Sequence, residues 1–270
     1  MISTQEPTAS SNKPTAKLSL ALSGGGARGI AHLGVLAALD ELGLPVGALA
    51  GASSGAIVST FYAAGVAPRE VLRLLQATSI PRLTRPVFGR QGLLGLDAVG
   101  QLLERHLGVG LRFEDLRLPL ALVATDLEAG ESVYFSQGLL LPPLLGSAAV
   151  PIVYRPIEYQ GRQLVDGGLL NNLPVEPLLP LGMPIVGVHC NPINREGRLP
   201  NLRRVVERTL QIALSANVTA RKTQCALLIE PPELRQYRPL DFRKADELFE
   251  IGYRHTLGRA AELRALLADG

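Results

Sequence analysis

The chain has no tryptophan, only two cysteines, and aromatic residues at just 4% of its length. Two cysteines with no CxxC spacing make neither a disulfide framework nor a zinc site. Cys190 and Cys225 therefore read as buried thiols of a protein kept in a reducing compartment. HExxH and Cys/His ligand spacings are also missing, which argues against metal-dependent hydrolysis, and no cofactor is expected. Charged residues are sparse at 19%, and the net charge of +3 is not gathered into basic runs. A nucleic-acid surface calls for a basic stripe interleaved with stacking aromatics, so nucleic acid is not an expected partner. Residues 42–68 carry no charge, but glycines and serines crowd them and Pro45 interrupts them. A membrane-spanning helix wants about 20 predominantly apolar residues, so this stretch is not read as one.

What is present is a 270-residue chain with 47% hydrophobic residues, enough to bury a substantial core. Residues 1–16 are rich in Ser, Thr and Pro and lack the apolar centre of a secretory signal. They read as a disordered tail, residues 17–270 as one domain, and the cytoplasm as the expected location. No internal repeat is visible. "KLSLALS" (17–23) reads as a strand, "GGGARG" (24–29) breaks it, and "IAHLGVLAALDEL" (30–42) follows as a helix. "VGALA" (46–50) is a second buried strand, and "SGAIVSTFYAAG" (54–65) a helix of small residues. Helices are expected over 68–78, 96–108, 201–222 and, as one long element, 243–268. Further strands are expected within 118–127, 132–136, 184–190 and 225–230, and 162–174 reads as a strand ending in a glycine turn. Residues 139–154 are apolar but broken by prolines, fitting neither an ordinary helix nor a strand. Strand, glycine turn, helix, strand, sharp turn, helix is the opening of an α/β fold, a three-layer α/β/α arrangement with a mostly parallel central sheet.

Three motifs carry the chemistry. Gly51-Ala52-Ser53-Ser54-Gly55 matches GxSxG between an expected strand and an expected helix. A nucleophile elbow needs that placement, with Ser53 at the apex and Ser54 starting the helix, donating or capping locally. Gly24, Gly26 and Gly29 match GxGxxG after a strand, which raises a dinucleotide site as a rival. That rival needs an acid about 20 residues on, at the end of the second strand, and "VGALA" ends without one. The same glycines instead suit an anion: successive backbone N–H groups with a helix start beside them form a nest for an acyl oxyanion. Arg28 is placed to fix the loop or approach an anionic substrate, or else reads as a surface charge at the helix start. The third motif is Asp166-Gly167-Gly168, by itself an ordinary tight turn.

A serine nucleophile needs a base. Of His32, His106, His189 and His255, only the last two follow Asp166 in the Ser…Asp…His order. His189, near the end of a buried strand, is the better placed. His32 reads as packed in the first helix, and His255 as a half-exposed residue of the terminal helix.

GGGARG, then GASSG, then DGG, with "SAAVPIVYRPIEYQGRQLVDGGLLNNLP" (147–174) leading through the aspartate, resembles the patatin-like phospholipases. The resemblance runs from about residue 17 to at least 190, and the chain looks like the short bacterial single-domain members. It implies a Ser–Asp dyad without histidine: Ser53 as nucleophile, Asp166 as proton acceptor, Gly24, Gly25, Gly26 and Arg28 around the oxyanion, and Gly29, Gly51, Gly55, Gly167 and Gly168 as motif glycines. It also implies acyl-ester hydrolysis of phospholipids or lysophospholipids. Apolar stretches 79–95 and 139–154, with Arg82, Arg85 and Arg90, are candidates for an acyl channel, headgroup contacts or transient membrane contact, and 139–154 reads equally as core packing. An acyltransferase or thioesterase using the same serine, or a non-catalytic adaptor keeping the fold, stay open as alternatives, as does the oligomeric state.

Overall fold

A computed structural model describes residues 16–78, 85–86, 94–193, 198–239 and 241–268. The expected tail, apart from Ala16, and Arg82 and Arg90 lie outside the described residues, as does the Arg85 side chain.

The first half follows the hydrophobic pattern closely. Strand β1 (Leu18–Leu22) runs into a 3-10 turn (Gly26–Gly29) and helix α1 (Ile30–Glu41). Strand β2 (Val46–Gly51) leads into α2 (Ser54–Ala63), and α3 (Pro68–Ala77) starts with proline in its first turn, where the missing N–H costs nothing. Strands β3 (Arg85–Pro86) and β4 (Leu94–Gly95) form a small antiparallel pair before α4 (Asp97–Leu107). Then come β5 (Leu120–Asp126), β6 (Glu131–Phe135), α5 (Leu141–Ala148), β7 (Ile157–Tyr159) and β8 (Arg162–Asp166). The last part holds β9 (Ile185–Val188), α6 (Leu202–Ala216), α7 (Thr219–Lys222), β10 (Leu227–Ile229), α8 (Ala245–Leu257) and α9 (Ala260–Ala268).

The main sheet has the order β10-β9-β1-β2-β5-β8-β7, with β6 also paired to β5. The pairs from β10 to β5 are parallel, and those of β5 with β6 and β8, and of β7 with β8, are antiparallel. This is the mixed α/β architecture expected, a mostly parallel sheet flanked by helices. Side chains alternate across it. Leu18, Leu20 and Leu22 enter the larger core with α1, α2 and α8, while Ala21, Ala48 and Ala50 face a smaller one closed by Leu173, Val175, Leu178 and Val218. Leu22 pairs with Gly51, so β1 and β2 end side by side at the carboxyl edge. In open α/β sheets ligands bind at that edge.

Three expectations are corrected. Residues 141–148 form a true helix, because Pro142 and Pro143 occupy its first turn rather than its interior. The long C-terminal helix is two helices broken after Leu257 at Gly258, the poorest helix former after proline. The helix expected over 201–222 divides at Asn217, whose side chain donates to the carbonyls of Gly168 and Leu169 and accepts from the N–H of Asn172.

Candidate active site

Ser53 occupies the turn between β2 and α2 with φ 52° and ψ −122°, a conformation that side chains avoid. Holding a non-glycine residue there costs on the order of 1–3 kcal/mol, and the glycines of the motif let the surroundings impose it. A Cβ on Gly51 would sit 2.7 Å from the backbone of Ala56, and one on Gly55 2.6 Å from the carbonyl oxygen of Ser23. The turn is thereby pressed against the end of β1, and the Ser53 N–H donates to Ser147 Oγ at 3.0 Å. Ser54 does open α2, but its buried hydroxyl makes no hydrogen bond among the described residues, so it neither donates nor caps.

Asp166 closes β8 opposite this turn, and the Ser53 hydroxyl donates to its Oδ2 at 2.7 Å. The other carboxylate oxygen accepts the Gly168 N–H at 2.8 Å, in a 3-10 turn over Gly167–Leu169. The Asp166 backbone is fastened on both sides: its N–H donates to Ala149 O (2.9 Å), and its carbonyl accepts from Thr125 Oγ (3.0 Å). Gly167 is required by proximity, since a Cβ there would run into the carbonyl of Val123. Burial pushes the Asp166 carboxyl up to about 6, against the hydrogen bonds from Ser53 and Gly168.

The glycine loop lies alongside. Gly24 donates its N–H to Asn172 Oδ1 at 3.0 Å, Gly26 takes φ +58°, and the Arg28 N–H closes on Gly25 O at 3.2 Å. The N–H groups of Gly25 and Gly26 meet no acceptor among the described residues. Arg28 is buried, not a surface charge: its guanidinium donates to the Tyr237 carbonyl and to Asn191 Oδ1, both at 2.7 Å. It fastens the loop to the C-terminal part of the chain.

No described histidine hydrogen-bonds to Ser53 or Asp166. His189 Nδ1 pairs with Glu230 at 2.6 Å, and Lys222 shares the same carboxylate oxygen. His32 donates Nε2–H to the Ser23 carbonyl at 2.7 Å, and burial lowers it to about 4, a neutral ring. His106 is exposed on α4, and His255 is half-buried on α8. Cys190 is buried with its Sγ 3.4 Å from His32 Nδ1.

Gly24, Gly25, Gly26, Ser53, Asp166 and Asn172 form the polar floor of a cleft of about 940 Å³. Leu75, Val150, Val153, Tyr154, Leu214 and Phe242 give it apolar walls, and Arg204, Arg238 and Arg243 also line it. From 139–154, therefore, the end of the stretch lines the cleft while Leu144 and its neighbours pack the core. Ser147, Asn172 and Asn217 were not singled out in the sequence. "LLNNLP" directly after the glycine turn is the signal that could have found Asn172.

Comparison with known proteins bears on the family and the fold. Residues 20–179 match the family model described as patatin-like phospholipase. An uncharacterized NTE family protein of Mycobacterium bovis is 39% identical over 164 residues, covering 60% of this chain and 45% of that protein. Lysophospholipase NTE1 of Kluyveromyces lactis is 26% identical over 266 residues, covering 87% of this chain and 18% of that one. The chain thus spans less than half the length of these curated relatives. Among solved structures, VipD from Legionella pneumophila superposes with a TM-score of 0.54 at 16% identity, over 92% of this chain and 67% of that one. Human GIVD cytosolic phospholipase A2, in complex with methyl gamma-linolenyl fluorophosphonate, gives 0.50 at 14% identity, over 95% and 60%. These two likenesses concern the fold. The family is fixed by the match across 20–179, which takes in the glycine loop, the serine turn and the aspartate turn: the chain belongs to the patatin-like phospholipase family.

Proposed function

We propose that the chain is a serine-dependent lipid acyl-ester hydrolase working through a Ser53–Asp166 dyad. The observation that carries this reading is the 2.7 Å hydrogen bond from Ser53 Oγ to Asp166 Oδ2, on a strained turn facing a cleft. Ser53 Oγ attacks the ester carbonyl carbon while its proton passes to Asp166. The oxyanion is held by the N–H groups of Gly25 and Gly26, while Gly24 and Arg28 shape the loop through Asn172, Asn191 and Tyr237. Collapse expels the alcohol, which takes the proton from Asp166 and leaves an acyl-Ser53. Water, deprotonated by Asp166, then releases the fatty acid and restores the serine.

A carboxylate is a weaker base than imidazole, and burial compensates by raising its proton affinity toward the working pH. The apolar walls suit an acyl chain, and the curated relative of Kluyveromyces lactis is named a lysophospholipase, so phospholipid or lysophospholipid esters are the proposed substrates. The proposed unit is one domain from residue 17 onward. Its support is the close packing of α8 on α1, where a Cβ on Gly34 would lie 2.6 Å from the Tyr253 nitrogen. A fluorophosphonate probe tests the reading: it should label wild-type protein at Ser53 and leave Ser53→Ala unlabelled, with free fatty acid as the product from a lipid ester. Folded wild-type protein that takes no label, or transfer of the acyl group to an added thiol in place of release, would sink it.

A further inference from the structure

Helix α6 turns apolar side chains outward among its described residues. A helix packed on a soluble domain turns its apolar stripe inward and its charges to water. On α6 every residue described as exposed is uncharged: Leu202, Val205, Thr209, Ile212, Ala213 and Ala216. Leu202, Val205 and Ile212 are 77%, 42% and 51% exposed. At 100° per residue these three fall within an arc of about 80°, with Thr209 between them, so they form one continuous stripe. Gln211 and Arg204 lie on another side of the helix. Gln211 is buried, Arg204 is half-buried, and both line the cleft together with Leu214 of the same helix. One helix therefore shows an apolar face to the outside and a polar flank to the Ser53 cleft.

An exposed apolar stripe of this kind marks an interaction surface. The cleft identifies the partner. Arg238 and Arg243, both exposed, line the same cleft as Arg204; Arg243 is paired with Asp241, and Arg238 makes no ion pair among the described residues. An apolar helix face beside a guanidinium-lined opening is complementary to acyl chains lying beneath anionic headgroups. Resting on the reading of the cleft as a lipid-ester site, we propose that α6 is the element by which this protein docks on an anionic bilayer surface. Leu202, Val205 and Ile212 enter the headgroup–acyl boundary while the exposed Arg238 meets headgroup phosphates.

The test is flotation of the full chain with vesicles of phosphatidylcholine alone or mixed equally with phosphatidylglycerol. Wild-type protein should float with the mixed vesicles, and less with phosphatidylcholine alone or in high salt. A triple variant, Leu202→Ser, Val205→Ser and Ile212→Ser, keeps the charges and should float at least five-fold less, with an unchanged melting temperature. Its ratio of vesicle-lipid to short-chain-ester hydrolysis should fall at least ten-fold. Wild-type protein that stays at the bottom of the gradient overturns the proposal, as does a folded triple variant that floats like wild type. Light scattering that shows a dimer abolished in the triple variant, without flotation of either form, assigns the stripe to a second copy and overturns it as well. Flotation needs no turnover, so docking can fail while fluorophosphonate labelling of Ser53 succeeds, and the converse.

Discussion

Asn172 Oδ1 accepts the N–H of Gly24 at 3.0 Å, joining the segment just after the aspartate turn to the first residue of the glycine loop. Its amide nitrogen is buried with no acceptor among the described residues, although the side chain lines the cleft. The Ser23–Gly24 peptide is held from its other end by His32, which donates to the Ser23 carbonyl. Two side chains from distant parts of the chain thus hold the peptide at the start of the proposed oxyanion loop.

Releasing that peptide should weaken oxyanion stabilisation with little effect on ground-state binding. Asn172→Ala is expected to lower kcat by up to about 100–1000-fold, the range of losing an oxyanion-hole donor, and to leave KM within about three-fold. Steady-state kinetics on a p-nitrophenyl ester, together with a melting curve, check this. A large rise in KM or a collapse of stability would make Asn172 merely structural.

Asp166 and His189 can be separated directly. Asp166→Asn should remove activity by at least about 1000-fold, whereas His189→Ala should retain most of it, since His189 is engaged with Glu230. The reverse pattern would refute the dyad.

Activity should also follow the ionisation of Asp166. With the carboxyl raised to about 6 by burial, kcat/KM should climb with pH through that value and then level off. Stability moves in the opposite sense. Between the unfolded value of 3.8 and about 6 the native state binds more protons than the unfolded state, so this group's contribution falls as pH rises through that window. Above it, the buried carboxylate costs on the order of 2–3 kcal/mol. Asp166→Asn should therefore be more stable than wild type at pH 8 and lose that advantage near pH 4, as read by urea denaturation.

The turn at Ser53 stores strain that glycine would relieve. Ser53→Gly and Ser53→Ala both abolish the proposed nucleophile, but alanine keeps the φ 52° penalty and glycine does not. Ser53→Gly should be the more stable of the two by about 1 kcal/mol. Equal urea midpoints would mean the turn relaxes without its hydroxyl.

Where α1 crosses α8, Gly34 and Gly252 let the two backbones touch: their Cβ atoms would strike the carbonyls of Phe249 and Ala31. Gly34→Ala should therefore destabilise the protein by roughly 1–3 kcal/mol, by forcing the helices apart. Thermal or urea unfolding measures it, and a single shared transition supports one domain reaching to α8.

The three glycine-bearing motifs lie at chain positions whose local pattern already dictated a turn after a strand, so the α/β class, the parallel start of the sheet and the candidates Ser53, Asp166 and the glycine loop were legible from residues in order. Local pattern sets backbone conformation, and that much is encoded within a few residues. Residue order could not choose between His189 and Asp166 as the serine's partner; that choice came from the family resemblance, and the folded chain, by bringing positions 53 and 166 together, places the serine hydroxyl on the carboxylate. The prolines of 142 and 143 misled because their effect depends on which turn of a helix they occupy. Arg28, Ser147, Asn172 and Asn217 acquire meaning only from partners that are 94 residues away for Ser147 and 148 for Asn172. The outward face of α6 is likewise a tertiary fact, since the helical period alone shows an apolar stripe but not which side the sheet will cover.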